Sequence, residues 1–175
     1  LVSLIQGGET NFDTDLFMPI IEATEKMAVK KYEGDNKMSY RVIADHVRTV
    51  VFAVGDGVMP SNEGRGYIIR RLLRRAVRYG KTIGVDKPFL FQLTKVVGDV
   101  MGGYYPEVVA KHDFIQKIIR IEEERFHETL SDGLVLLANV VSQAKAKNET
   151  VIDGDSAFKL YDTYGFPFDL TEDFA

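Results

Sequence analysis

RGYIIRRLLRRAVRYGK, residues 65–81, decides how the chain is read. Ile69, Leu72, Leu73, Ala76 and Val77 fall at offsets 0, 3, 4, 7 and 8, the spacing of one apolar stripe on an α-helix. Arg70, Arg74 and Arg78 line one flank of that stripe at i, i+4 and i+8, and Arg71 and Arg75 line the other. With Arg65 and Lys81 the segment holds seven basic residues and no acid, so the formal chain charge of −4 hides +7 here and −11 elsewhere. Like charges four residues apart repel by roughly 0.2 to 0.5 kcal/mol per pair. Such a helix needs acids from elsewhere in the fold, with Glu122, Glu123 and Glu124 the obvious source, or an external polyanion such as a phosphate backbone, to which guanidinium forks are suited.

Working upstream, Phe17, Ile20, Ile21, Thr24 and Ala28 recur at helical spacing behind Thr14 and Asp15, which can cap a first turn; they predict a helix over about 15–31. The polar run 33–37 marks a boundary, and Ser39 is the expected N-cap of the next element. There Ile43, Val47, Val50, Val51 and Val54 form a helical stripe, although the β-branched run at 47–54 would also suit a strand. Gly55, Asp56 and Gly57 stop it, and Pro60, Ser61 and Asn62 reopen the chain.

Downstream, Gly80 and Gly84 close the arginine segment. Pro88 takes the first position of a helix with Phe89, Leu93, Val96, Val97 and Val100 on one face, ended by Gly102 and Gly103. Asp113 is the expected cap of a long periodic stretch reaching about Lys147, either one helix on the order of 50 Å long or an antiparallel pair bent at Gly133. Beyond Asn148 the pattern predicts a short extended piece at 150–154, a short helix through Tyr161 capped by Asp155 or Ser156, a turn at 165–167, and the start of another helix at 170–173. The class is all-α, a bundle-like arrangement with a long helix or helical hairpin and room for one short strand pair.

With 45% apolar and 27% charged residues over 175 positions, the chain is neither disordered nor collagen-like. The absence of cysteine removes disulfides, thiolate metal sites and cysteine nucleophiles together. His46, His112 and His127 form no helical HxxxH pair, so no metal site is expected, and His46 reads as a structural histidine. Asp13 and Asp15 read as turn and cap residues, not as a catalytic carboxylate pair. No run approaches the ~18 apolar residues of a membrane span, and a soluble, cytoplasmic chain is expected. Leu1 at the start, with no secretion signal, reads as a segment of a longer chain.

RVIADHVRTVVFAVGDGVMPSNEGRGYIIRRLLRRAVRYG, 41–80, resembles the tRNA-recognition segment of alanyl-tRNA synthetases, a class II aminoacyl-tRNA synthetase family. NFDTDLF, 11–17, is similar to the family's segment just after the catalytic core, EEERFHETLSDGL, 122–134, to its long-helix segment, and LYDTYGFPFDLT, 160–171, to its segment ahead of the editing domain. The likeness covers nearly the whole chain in the family's order.

The resemblance implies ATP-dependent attachment of alanine to tRNA(Ala) through an alanyl-adenylate. ATP and Mg would belong to the catalytic domain of the full enzyme, and Zn to its editing domain. It further implies that 1–35 is the C-terminal tail of the catalytic domain and that 36–175 is a helical tRNA-recognition domain ending before the editing domain. LVSLIQ, 1–6, resembles the tail of the helix in the third class II motif, so the groups that grip ATP and alanine would precede Leu1. On this reading the segment has no catalytic residue, metal or cofactor of its own and is inactive alone. Its partners are the tRNA(Ala) acceptor stem and the catalytic and editing domains of the same enzyme, with no membrane.

The family identifies its tRNA chiefly through a G·U wobble pair, read by an Asn and an Asp. Motif matching places the Asn at Asn62 in PSNEGRG and the Asp at Asp162 in LYDTYGF, with Asp169 in FPFDLT as the alternative. In A-form RNA the shallow minor groove is the accessible one, and a wobble pair leaves the guanine 2-amino group there without its usual pyrimidine partner. A carboxylate can accept from that group, and an asparagine amide can serve a second base edge or a 2′-hydroxyl. Arg65, Arg70, Arg71, Arg74, Arg75 and Arg78 are the implied phosphate contacts, which position without reading sequence, although Arg71 and Arg75 could instead pair internally. Two plainer roles stay open: Asn62 could cap the arginine helix, and Asp162 could end its short helix. A non-catalytic helical module that binds nucleic acid or an acidic protein through the 65–81 face is the rival function. A structural connector whose arginines are spent on internal acids is a third.

Overall fold

The arginine segment is a helix, as its periodicity requires, and it is one of a chain of helices. In the computed structural model, which describes residues 1–174, these are α1 (Val2–Ile5), a 3-10 turn (Asn11–Asp13), α2 (Met18–Glu25), α3 (Asn36–Gly55), α4 (Gly64–Thr82), α5 (Leu90–Met101), α6 (Pro106–Ala110), α7 (His112–Ala146), α8 (Gly154–Asp162) and α9 (Phe168–Phe174). In α9 the side chains of Asp169, Asp173 and Phe174 are not among those described, so Asp169, the alternative base-pair reader, lies outside the described residues in that respect. No strand occurs among the described residues. The chain packs as two compact units, Leu1–Glu123 and Glu124–Ala175, with the division inside α7.

In the first unit α3 and α4 form the most extensive pair, with α2 and α5 packed on α3 and on each other and α6 against α3 and α5. Tyr40, Ile43, Ala44, Val47, Val50, Val51 and Val54 of α3 are all buried, one continuous stripe, which is why the β-branched run settles as helix. From α4 the stripe is Ile69, Leu73, Ala76 and Val77, joined by Tyr79 and with Leu72 only half-buried. Burying side chains of this size contributes about 1.5 to 3 kcal/mol each, so the α3–α4 seam dominates the unit's stability.

In the second unit Phe126, Leu130 and Leu137 of α7 are buried together with Leu160, Phe166 and Leu170. The Phe126 and Phe166 rings meet edge-on with centroids 5.8 Å apart. Gly133, a candidate bend, lies within an uninterrupted α7, so 113–147 is one helix and not a hairpin. Its lack of a side chain serves packing: a Cβ there would stand 2.3 Å from Phe166 Cε2.

Several boundaries differ from those the sequence predicts, each for a local reason. α2 begins at Met18 because Thr14 closes the preceding 3-10 turn, its hydroxyl donating to the Asn11 carbonyl at 2.8 Å. It ends at Glu25 because the Val29 and Lys30 N–H groups donate to Ile83 O, each at 3.1 Å, and leave the helical path. α3 starts at Asn36, directly after the turn at Gly34, whose φ of 49° reverses the chain; Ser39, the expected cap, is buried inside the helix. Pro88 precedes α5 instead of opening it. The expected extended piece at 150–154 is a bend leading into α8, where Asp153 and not Asp155 or Ser156 is the cap, accepting from the Ser156 N–H at 2.9 Å. α7 starts at His112, which places the expected cap Asp113 in its first turn.

Candidate nucleic-acid interface

The loop between α3 and α4 carries Asn62, and its shape follows from two glycines. Gly64, with φ of 55°, turns the chain into α4 from the extended Glu63. Gly66 lets the first turn of α4 slide beneath the loop: a Cβ there would lie 2.2 Å from Met59 O and 2.2 Å from Ser61 Oγ. Ser61 Oγ donates to the Glu63 carbonyl at 2.9 Å. Asn62 is thereby held exposed at the head of the arginine helix, but it does not cap it. The N-cap of α4 is Glu63, with no side-chain cap bond, and the Asn62 amide oxygen instead accepts from Arg70 Nη1. Its amide nitrogen remains to donate outward.

The basic flank divides by what the arginines touch. Arg70 and Arg74 converge on Glu122 of α7. Arg70 Nη2 donates to Oε2 at 3.1 Å, and Arg74 donates to Oε1 from Nε at 3.1 Å and Nη2 at 2.8 Å. Arg70 Nε lies 2.9 Å from Oε1. The side chains are 16% (Arg70), 12% (Arg74) and 6% (Glu122) exposed, so the cluster is largely withdrawn from water. Arg70 and Arg74 thus share the Glu122 carboxylate. Arg65 is exposed on the first turn of α4, Arg71 is half-buried, and the half-buried Arg75 and Arg78 place their guanidiniums 5.7 and 5.0 Å from the centre of the Tyr79 ring. Lys81 pairs with Asp86 at 2.6 Å.

Glu122 was foreseeable as one of three candidate acids. What the sequence did not reveal is that its neighbour Glu123 has a different job. Fully buried, it accepts from the backbone N–H groups of Phe89, Leu90 and Phe91 at 2.7, 2.9 and 3.2 Å, supplying from α7 the cap that α5 lacks locally. The adjacent glutamates thus tie α7 to α4 and to α5.

Asp162 is exposed as the last residue of α8, in the second unit, whereas Asn62 and the arginines belong to the first. His46 sits half-buried on α3 with Nδ1 3.1 Å from Asp45, and that hydrogen bond holds the Asp45 carboxyl below its ordinary pKa. Among the described residues no group of three or more His, Asp and Glu side chains converges in a way that could hold a metal ion, and no helix is long and apolar enough to cross a membrane.

Chemically, the first unit offers a helix flanked by guanidiniums with an oriented amide at its head, the parts needed to hold a polyanion and read one polar edge. The family model described as tRNA synthetases class II (A) matches residues 1–175, and the chain belongs to that family. The alanine–tRNA ligases of Shouchella clausii and Geobacillus thermodenitrificans are each 61% identical to it, over 99% and 100% of this chain, and that of Geobacillus kaustophilus is 58% identical over 100%. The chain spans 20% of the length of each of these relatives.

Proposed function

We propose that this chain is the tRNA-binding portion of an alanine–tRNA ligase, an enzyme that attaches alanine to tRNA(Ala) with ATP, and that it recognises the acceptor stem including its G·U pair. Residues 1–35 then close the catalytic domain and 36–175 form the recognition domain. The partners are the acceptor stem and the catalytic and editing domains of the same enzyme. By itself the segment binds RNA without activating alanine, which an ATP–pyrophosphate exchange assay checks directly.

The observation that carries the reading is the placement of Asn62, exposed at the head of the arginine helix and free of the capping role that would otherwise explain it. Asn62 serves the base pair from its amide and Asp162 accepts from the guanine 2-amino group. Arg65, Arg71, Arg75 and Arg78 hold phosphates, and Arg70 and Arg74, which share Glu122, lie beside them on the same helix.

The test is binding of an acceptor-stem hairpin to the chain, with G·U or G·C at the recognised position. Tighter binding of the G·U hairpin is expected, with Asn62→Ala or Asp162→Ala erasing the difference. Indifference of the wild-type chain to the pair overturns the site assignment. The engagement of Arg70 and Arg74 by Glu122 favours one other reading, a connector whose arginines are spent internally. That reading predicts no RNA affinity at all. A preference for duplex DNA or an acidic protein would point instead to a general helical binding module.

A further inference from the structure

We propose that Arg70 is the positioning residue for Asn62, and that Glu122 fixes Arg70, so that a relay from α7 across α4 sets the amide that meets the base pair. The proposal rests on the reading of Asn62 given under Proposed function and adds a residue that acts through it.

An asparagine side chain ends in a torsion with broad, two-fold preferences, so an exposed amide on a loop presents its oxygen or its nitrogen almost indifferently unless a partner decides. Arg70 is such a partner. A guanidinium only donates, and by donating from Nη1 to the Asn62 oxygen it turns that oxygen inward and leaves the amide nitrogen outward. Arg70 can impose this because it is itself immobilised. Nη2 donates to Glu122 Oε2 at 3.1 Å, Nε stands 2.9 Å from Oε1, and only 16% of the side chain is exposed. A rigid planar fork tied through Nη2 and ion-paired to one carboxylate fixes the direction of its remaining N–H groups. Glu122 is steadied in turn by the two bonds from Arg74. Lysine in place of Arg70 would keep the charge and lose the fork, which separates positioning from simple electrostatics.

The experiment measures the G·U over G·C preference of wild-type chain, Arg70→Lys, Asn62→Ala and the double variant at one salt concentration. Ordering a side chain in advance is worth about 0.5 to 1.5 kcal/mol, so Arg70→Lys is expected to lower the preference by about two- to tenfold. In the Asn62→Ala background, where no preference is expected to remain, the same change is expected to leave the affinity for the G·U hairpin itself unaltered. Glu122→Gln keeps the shape and weakens the hold on Arg70, and a smaller loss is expected. In the RNA-free chain, the Asn62 side-chain amide resonance is expected to be rigid in wild type and mobile in Arg70→Lys. If Arg70→Lys does not fold, Glu122→Gln and the wild-type amide dynamics decide.

An Arg70→Lys variant with full preference and a rigid Asn62 amide overturns the relay and leaves the Asn62 reading intact. Multiplying effects of Arg70→Lys and Asn62→Ala also overturn it, since Arg70 would then act on RNA directly. If Asn62→Ala itself leaves the preference unchanged, the reading fails and the relay with it.

Discussion

Glu122 and Glu123 are adjacent on α7, yet about 100° apart around it, and that rotation aims one at the arginines and the other at the start of α5. Removing either leaves different orphans. Glu122→Ala removes the carboxylate that Arg70 and Arg74 share in a largely buried cluster and is expected to destabilise the first unit by about 3 to 5 kcal/mol. Glu123→Ala takes the acceptor from the buried N–H groups of Phe89 and Leu90 and from the half-buried one of Phe91, and a loss of about 3 kcal/mol or more is expected; urea unfolding measures both. The sequence could name the acids but not divide their labour, because three consecutive glutamates carry no mark of which neighbour each will meet. Tyr40 supplies a pH signature of the α3 core. It donates to the Lys30 carbonyl, and burial pushes its pKa up to about 12 from an ordinary 10. A raised folded-state pKa stabilises fully below 10 and is lost as pH climbs from 10 through 12. Stability is therefore expected to fall across that interval, with a smaller fall in Tyr40→Phe, read from denaturation midpoints at stepped alkaline pH.

At the scale of elements, the stripes of α3, α4 and α7 were legible because burial on one face enforces a 3.6-residue period that any observer of the sequence can count. Their ends were not. α2 stops where Ile83, more than fifty residues on, takes two of its neighbours' N–H groups, and α5 begins where Glu123 reaches it. A boundary set by a distant residue leaves no local trace, whereas Gly57 and Gly84, whose positive φ angles follow the ends of α3 and α4, were read directly; Gly80, also expected to close α4, is instead buried inside it. The loop between α3 and α4 lies between these cases. Its motif was evident in PSNEGRG, but the reason for Gly66 was not, because nothing in the pattern says that α4 will pass beneath Met59 and Ser61. Gly66→Ala places a Cβ 2.2 Å from a backbone oxygen, so the loop must shift. The expected cost is about 1 to 3 kcal/mol in thermal or urea unfolding, together with a reduced G·U preference as Asn62 moves.

For the molecule as a whole, the formal charge of −4 is a poor guide and its distribution a good one, since +7 is gathered in seventeen residues and −11 is spread over the rest. Part of that positive charge turns out to be structural, held by Glu122, while Arg65 is exposed on the first turn of α4. This division was already one of the open alternatives in the sequence and needed coordinates to resolve, because a helix and an acid fifty residues apart can meet only through the fold. It predicts an unequal response to mutation. Arg65→Ala is expected to weaken hairpin binding and to reduce the slope of log affinity against log salt by about one, with the fold unaffected. Arg74→Ala is expected to act first on stability. The most direct measurement of the central claim follows the Asn62 side-chain amide resonance while acceptor-stem hairpins are titrated into the chain. A large, saturable shift with the G·U hairpin and a distinctly smaller one with the G·C hairpin is the predicted result; equal shifts, or none with either, would contradict it.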